Sequence, residues 1–248
     1  MKLKLKYKRR WAFYGLIVVS LTWLILFVRK YPVSAFDYYI TKELQQLKRG
    51  DFESLMAFIS MFGNSATMPL SVIFASLLFY WANLRREARF VLVTLVTDAL
   101  TVLVKFLVNR PRPTVKDAMI MLKFDHAAFP SGHVVHYVVF FGFLLTVMIV
   151  SKKIPHFWRI FVGAWCTFLI LTVSVSRIYL GAHWATDVLG AYLFGMFYLG
   201  LLLTFYLKIP EKIAENLPPE VAAKIPEAIV EKLPEKVAEK ITEKKEVQ

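Results

Sequence analysis

Cysteine is nearly absent: Cys166 is the single one in 248 residues, so no intrachain disulfide can form and no cysteine-rich zinc site can be assembled. Acidic residues are sparse as well, 18 against 31 Lys and Arg, which leaves a formal charge of +13. Charge of either sign is nearly missing from six long runs, at about 11–28, 66–81, 90–108, 134–150, 160–175 and 188–207. With 57% hydrophobic residues and a positive mean hydropathy, the chain is too apolar for an ordinary soluble domain of its length. Runs of about 20 apolar residues at loop-sized intervals suit a bilayer instead. The expected fold is an all-α membrane protein with six transmembrane helices in one domain, residues 1–208.

The basic excess does not point to nucleic acid, because the cations stand at the ends of the runs. Lys2, Lys4, Lys6, Lys8, Arg9 and Arg10 precede the first, Arg85, Arg86 and Arg89 follow the second, and Lys152, Lys153 and Arg159 follow the fourth. The positive-inside rule then makes these segments and both termini cytoplasmic and leaves the connections after spans one, three and five outside. A cleaved signal peptide is the alternative for the first run, with Val33-Ser34-Ala35 as the small-residue site. Its apolar length and the Arg29-Lys30 flank favour a retained anchor.

Between the first two spans, residues 34–62 mix apolar and polar side chains. This segment is read either as amphipathic helices at the outer interface, roofing a site or guiding lipid, or as an ordinary loop with some helix. Residues 209–248 form an octad-repeat cytoplasmic tail with seven Lys and nine Glu. Pro210, Pro218, Pro226 and Pro234 interrupt any long helix there, so short marginal helices or disorder are expected.

Ionisable residues near a membrane are costly, and their default reading is functional. Lys105 and Arg112 flank the outer end of the third span, Pro130-Ser131-Gly132-His133 opens the fourth, Ser176-Arg177 closes the fifth, and His183 and Asp187 open the sixth. The topology, derived from other residues, gathers them all at the outer interface. Together they suit phosphoryl transfer. Lys105, Arg112 and Arg177 can neutralise the transition state's oxygens, while the helix start at Ser131-Gly132-His133 offers backbone N–H groups to phosphate. His183 and Asp187, one helical turn apart, can pair so that the free ring nitrogen attacks, with His133 as general acid.

These residues fall in the order K-x6-R-P, P-S-G-H and S-R-x5-H-x3-D, and the sequence here resembles the type 2 phosphatidic acid phosphatase family, matching all signature positions. The resemblance implies a membrane lipid phosphatase that uses no metal and no cofactor. His183 would be its nucleophile, His133 its acid and base, and Asp187 the residue orienting His183. Lys105, Arg112, Ser131, Gly132 and Arg177 would bind the substrate. It further points to bacterial enzymes acting at the outer face on a lipid phosphate or diphosphate, of the undecaprenyl diphosphate or phosphatidylglycerophosphate type. Transfer of the phosphoryl group to another hydroxyl, or a non-catalytic lipid-phosphate transporter or scaffold, are the alternatives. The expected partners are a lipid phosphate and the membrane, not nucleic acid.

Several residues stay outside that site. His126 and His156 are read as interfacial, Trp184 and Tyr179 as an aromatic belt, and Asp98 as the bearer of a structural hydrogen bond or ion pair. His136, one turn beyond His133, either lines the substrate path or does not.

Overall fold

The computed structural model describes residues 2–47, 50–114, 116, 118–121, 127–230, 233 and 235–246. Among them the chain is helical throughout, and His126 lies outside them. Its elements are α1 (Lys2–Lys30), α2 (Ala35–Gln45), α3 (Gly50–Met61), α4 (Thr67–Trp81), α5 (Arg85–Val93), α6 (Leu95–Val108), α7 (Gly132–His136), a π-helical turn at Tyr137–Phe141, α8 (Gly142–Val150), α9 (His156–Tyr179), α10 (Ala185–Glu215), α11 (Pro219–Ala223), α12 (Glu227–Val230) and α13 (Glu235–Glu246).

Among the described residues, five stretches are long and apolar enough to span a membrane: 11–30, 85–108, 132–150, 156–179 and 185–207. The sixth expected span, α4, has 15 helical residues. At ~1.5 Å per residue that is about 22 Å, short of a ~30 Å hydrocarbon core. The stretch 132–150 stands apart from the other four, with 78% of its most apolar part buried against 17–28% in theirs. Its apolar residues occupy every side of the helix, as a helix enclosed by others requires. Val134, Val135, Tyr137, Phe143 and Val147 have no exposed surface. This central helix packs along α10, where Gly190 makes room for Phe129: a Cβ there would stand 2.3 Å from the ring.

Hydrogen bonds join the helices at several points. Ser76 Oγ donates to Ala88 O at 3.0 Å, Tyr192 OH to Ile170 O at 2.7 Å and Tyr198 OH to Val93 O at 3.0 Å. At ~0.6 kcal/mol each in a membrane, they are secondary to the close packing of side chains.

The loop between the first two spans contains two helices. Ser34 starts α2 through a capping box: its Oγ accepts from Asp37 N at 3.1 Å, and its own N–H donates to Asp37 Oδ2. Phe36 and Tyr39 are exposed on α2, while Asp37, Thr41 and Gln45 are buried against the bundle. Its polar side therefore faces inward, where Asp37 and Gln45 find buried partners.

The last spanning helix does not stop at the proline expected to end it. Pro210 has no N–H to offer the carbonyl of Tyr206, one turn earlier. Arg86 Nη2 donates to that carbonyl instead, its guanidinium lying 4.2 Å from the Tyr206 ring centroid. α10 therefore continues to Glu215, across the boundary expected at 208–209. Beyond it the octads coil on themselves. Ala214, Ala222 and Val230, eight residues apart, form one apolar cluster with Leu217, Ile225, Leu233 and Ile241, also eight apart. Lys244 and Lys245 cap the carbonyls of Leu217 and Ile225.

Candidate active site

At one end of the bundle, Lys105, Arg112, Gly132, His133, Arg177 and His183 line a single cavity of about 500 Å³. Asp187 stands behind His183, and Ser131 is buried beside it, its N–H donating to Asp187 O at 3.2 Å. All eight residues expected from the sequence are thus gathered at one place, although they come from four separate stretches of chain.

The local structure explains how each is held. Asn109 ends α6 in the left-handed conformation that asparagine tolerates, its N–H returning to Lys105 O. Lys105 Nζ donates to Ala127 O at 2.7 Å, which ties the end of α6 to the chain entering the central helix. Arg112 Nη1 donates to Ala182 O at 2.6 Å and lies 3.4 Å from His183 Nε2. Arg177 is fully buried and donates to Ser60 Oγ of α3, and its neighbour Ser176 donates to Met56 O of the same helix at 2.6 Å.

His183 presents two different nitrogens. Nδ1 is 3.5 Å from Asp187 Oδ2, a loose contact of the kind that tightens when a substrate fills a site. Nε2 faces the cavity beside Arg112. Burial, and then the cations Arg112, Lys105 and Arg177, hold the ring's pKa well below the ordinary value of 6.5. The imidazole is therefore neutral at physiological pH. With its proton on Nδ1, toward the carboxylate, Nε2 keeps a lone pair directed at the cations' common target. Burial also lowers Arg112, to about 10, against the opposing pull of Asp187. It remains charged at neutral pH.

Other residues, not singled out in the sequence, complete the site. Asn64 Oδ1 lies 3.2 Å from His133 Nε2, and Gly63 lies directly against the His133 ring. Arg110 joins Asp187 to Asp37. The one available signal was the tandem Arg110-Pro111-Arg112-Pro113, in which two arginines compete for one role. A serine three residues before an aspartate, as in Ser34 and Asp37, reads as a helix cap and nothing more. Asp98 lines the cavity, whereas His136 sits behind it with Nδ1 3.2 Å from the carboxylate. The aromatic-belt reading of Trp184 and Tyr179 is corrected. Both are buried, Trp184 Nε1 donating to Pro111 O and Tyr179 OH to Leu47 O, so each fastens a loop to the bundle.

Comparison with known proteins identifies relatives in sequence and in fold. The PAP2 superfamily profile matches residues 86–211. Phosphatidylglycerophosphatase B of Bacillus subtilis is 30% identical over 187 residues, 73% of this chain and 86% of that protein. Lipid phosphate phosphatase delta of Arabidopsis thaliana is 27% identical over 170 residues, 65% of this chain but 41% of its own length. In fold, the chain is similar to the crystal structure of a transmembrane PAP2-type phosphatidylglycerolphosphate phosphatase from Bacillus subtilis. The TM-score is 0.68 at 21% identity, covering 79% of this chain and 96% of that one. It is also similar to Aquifex aeolicus LpxE, with a TM-score of 0.53 at 15% identity, over 70% and 98% of the two chains. The chain belongs to the PAP2 superfamily, as a multi-pass membrane protein. Within that superfamily it is a phosphatase of the membrane lipid type.

Proposed function

We propose that the protein hydrolyses a lipid phosphate or diphosphate of the polyprenyl diphosphate or phosphatidylglycerophosphate type, at the outer membrane face, through a phosphohistidine on His183. The observation that carries this reading is the two-sided setting of His183, with a carboxylate at Nδ1 and three cations around the cavity that Nε2 faces. Nε2 attacks phosphorus, the bond to the lipid oxygen breaks, and His133 protonates that oxygen as it leaves. Water then attacks the phosphohistidine, giving its proton to His133, and inorganic phosphate departs. Lys105, Arg112 and Arg177 hold the phosphoryl oxygens throughout, supplying the electrostatic stabilisation this transfer needs without a metal.

The outer-face assignment rests on the cations at 2–10, 85–89 and 152–159, which belong at the opposite ends of the helices from the cavity and mark the inner side. A lipid substrate suits a cavity whose lining passes from Lys105 and Arg112 to Met68, Val102 and Phe106. The names of both curated relatives point the same way.

The test is phosphate release by detergent-solubilised protein from polyprenyl diphosphate, phosphatidylglycerophosphate and phosphatidate, together with the His183→Ala variant. At least one lipid should be hydrolysed by the wild type, and none by the variant. Absence of release from all three, or full activity of His183→Ala, refutes the proposal.

A further inference from the structure

Asp187 turns only Oδ2 toward His183, 3.5 Å from Nδ1, and the same oxygen accepts from Trp184 N at 2.9 Å. Its Oδ1 accepts from Arg110 Nη1 at 2.5 Å, and Arg110 Nη2 donates in turn to Asp37 Oδ2 at 2.7 Å. Arg110 Nε donates to Pro32 O at 2.9 Å, so the guanidinium is held on every side. Asp37 meanwhile grips the start of α10 by accepting from Thr186 N at 2.9 Å. All three charged side chains are at most 1% exposed, and neither Arg110 nor Asp37 lines the cavity.

Two features make this more than a structural staple. A buried ion triad is a poor way to gain stability, because the desolvation of its charges offsets their attraction and apolar residues often serve as well. The triad also carries one excess negative charge. An isolated Arg110–Asp187 pair would be neutral, with the cation drawing the carboxylate's charge away from the imidazole. The second carboxylate divides that attraction and leaves net negative charge against a ring that becomes cationic once Nε2 bonds to phosphorus and Nδ1 keeps its proton.

We infer that Asp37, reaching from the loop helix α2 through Arg110, is a positioning residue that holds Asp187 in the place and charge state in which it serves His183. The inference rests on the reading of His183 as nucleophile. It assigns to α2 a part in the chemistry: the loop helix delivers the charge that completes the site.

The experiment uses the full-length protein and steady-state kinetics on whichever lipid phosphate it hydrolyses. Asp37→Asn keeps the shape of the side chain and should lower kcat at least about tenfold, the effect of losing one charged hydrogen bond, with KM changed less than about twofold. Asp37→Glu should recover part of the loss. Ser34→Ala removes the cap of α2 and the 2.7 Å hydrogen bond from Ser34 Oγ to Asp37 Oδ2 but leaves the Asp37 charge and its bond to Arg110, so it should lower kcat much less than Asp37→Asn, which separates helix capping from the ion chain. In an Asp187→Asn background, Asp37→Asn should add nothing further, whereas a purely structural role would multiply the two losses. Arg110→Lys keeps a charge but cannot bridge two carboxylates, so it carries the same expectation if Asp37→Asn fails to accumulate as folded protein.

Carbethoxylation of His183 by diethylpyrocarbonate, followed by mass spectrometry, reads the ring with no lipid present and should slow by a similar factor in Asp37→Asn. A slowed ring in a protein that releases no phosphate from any lipid would sink the proposed reaction and leave the ion chain standing. Wild-type kcat and wild-type ring reactivity in Asp37→Asn or Arg110→Lys, or multiplicative losses with Asp187→Asn, would overturn the inference.

Discussion

Replacing Gly63 by alanine tests whether the position of His133 sets the rate. A Cβ at residue 63 would stand 2.4 Å from His133 Cδ2 and 2.7 Å from Cγ, where ordinary contact begins at 3.4 Å. The ring must therefore retreat by about 1 Å, or the loop must. Retreat also stretches the 3.2 Å contact to Asn64 beyond hydrogen-bonding range. Misplacement of a catalytic group by about 1 Å costs on the order of 10²-fold in rate. That sits at the low end of the roughly 10²–10⁴-fold contributed by a whole general acid. Gly63 lies in the short turn between α3 and α4 and has no left-handed backbone, so the fold itself should accept the methyl group. We expect Gly63→Ala to melt close to wild type and to hydrolyse its lipid about 10²-fold more slowly. With a nitrophenyl phosphate, whose leaving group needs no proton, formation of the phosphoenzyme should recover much of that loss. Wild-type turnover in the variant, or an equal defect in phosphoenzyme formation with both substrates, would refute the assignment of His133 as the proton donor.

Three further outcomes are expected. Because the His183 pKa is depressed, the nucleophile stays unprotonated below pH 6.5, and the acidic limb of kcat/KM should fall below that of an ordinary histidine. A full pH profile of kcat/KM will locate that limb. Phosphate release should persist in excess chelator, and loss of activity restored by one divalent ion would contradict the cation-based mechanism. Cutting the chain after Asn216, beyond the end of α10, should leave turnover in detergent largely intact, since no group proposed for the chemistry follows it. A severalfold drop in folded truncated protein would show that the octads support the site.

Five of the six expected spans and the grouping of the candidate site were legible for the same reason: each depends on residue type at fixed spacing. Lys105, Arg112, His133, Arg177, His183 and Asp187 could be grouped because apolar runs and flanking cations already put them at one end of the bundle. What escaped depends on depth and direction, which spacing does not encode. Asp37 has the sequence context of any first-turn aspartate, and only the inward roll of α2 makes it an ion-pair partner. Asn64 touches His133 across 69 positions, with no periodic pattern to announce it. Trp184 and Tyr179 occur where belt residues occur, yet the loops wrap over them. Pro210 carried a correct local rule that a distant Arg86 overrode by taking the orphaned carbonyl.

The cavity is lined by Met68 of α4 and by Val102 and Phe106 of α6, the last two 66% and 80% exposed on a stretch long and apolar enough to span a membrane. Entry on that side would admit what travels within the sheet of lipid and not what is dissolved beside it. Supply to the enzyme is then governed by encounter in two dimensions, and the quantity that enters the rate law is the substrate's share of the surrounding amphiphiles. Diluting the substrate with inert detergent at constant molarity should slow the enzyme in proportion, while concentrating the whole mixture should change little. In a cell the same geometry would couple the rate to the local composition of one leaflet.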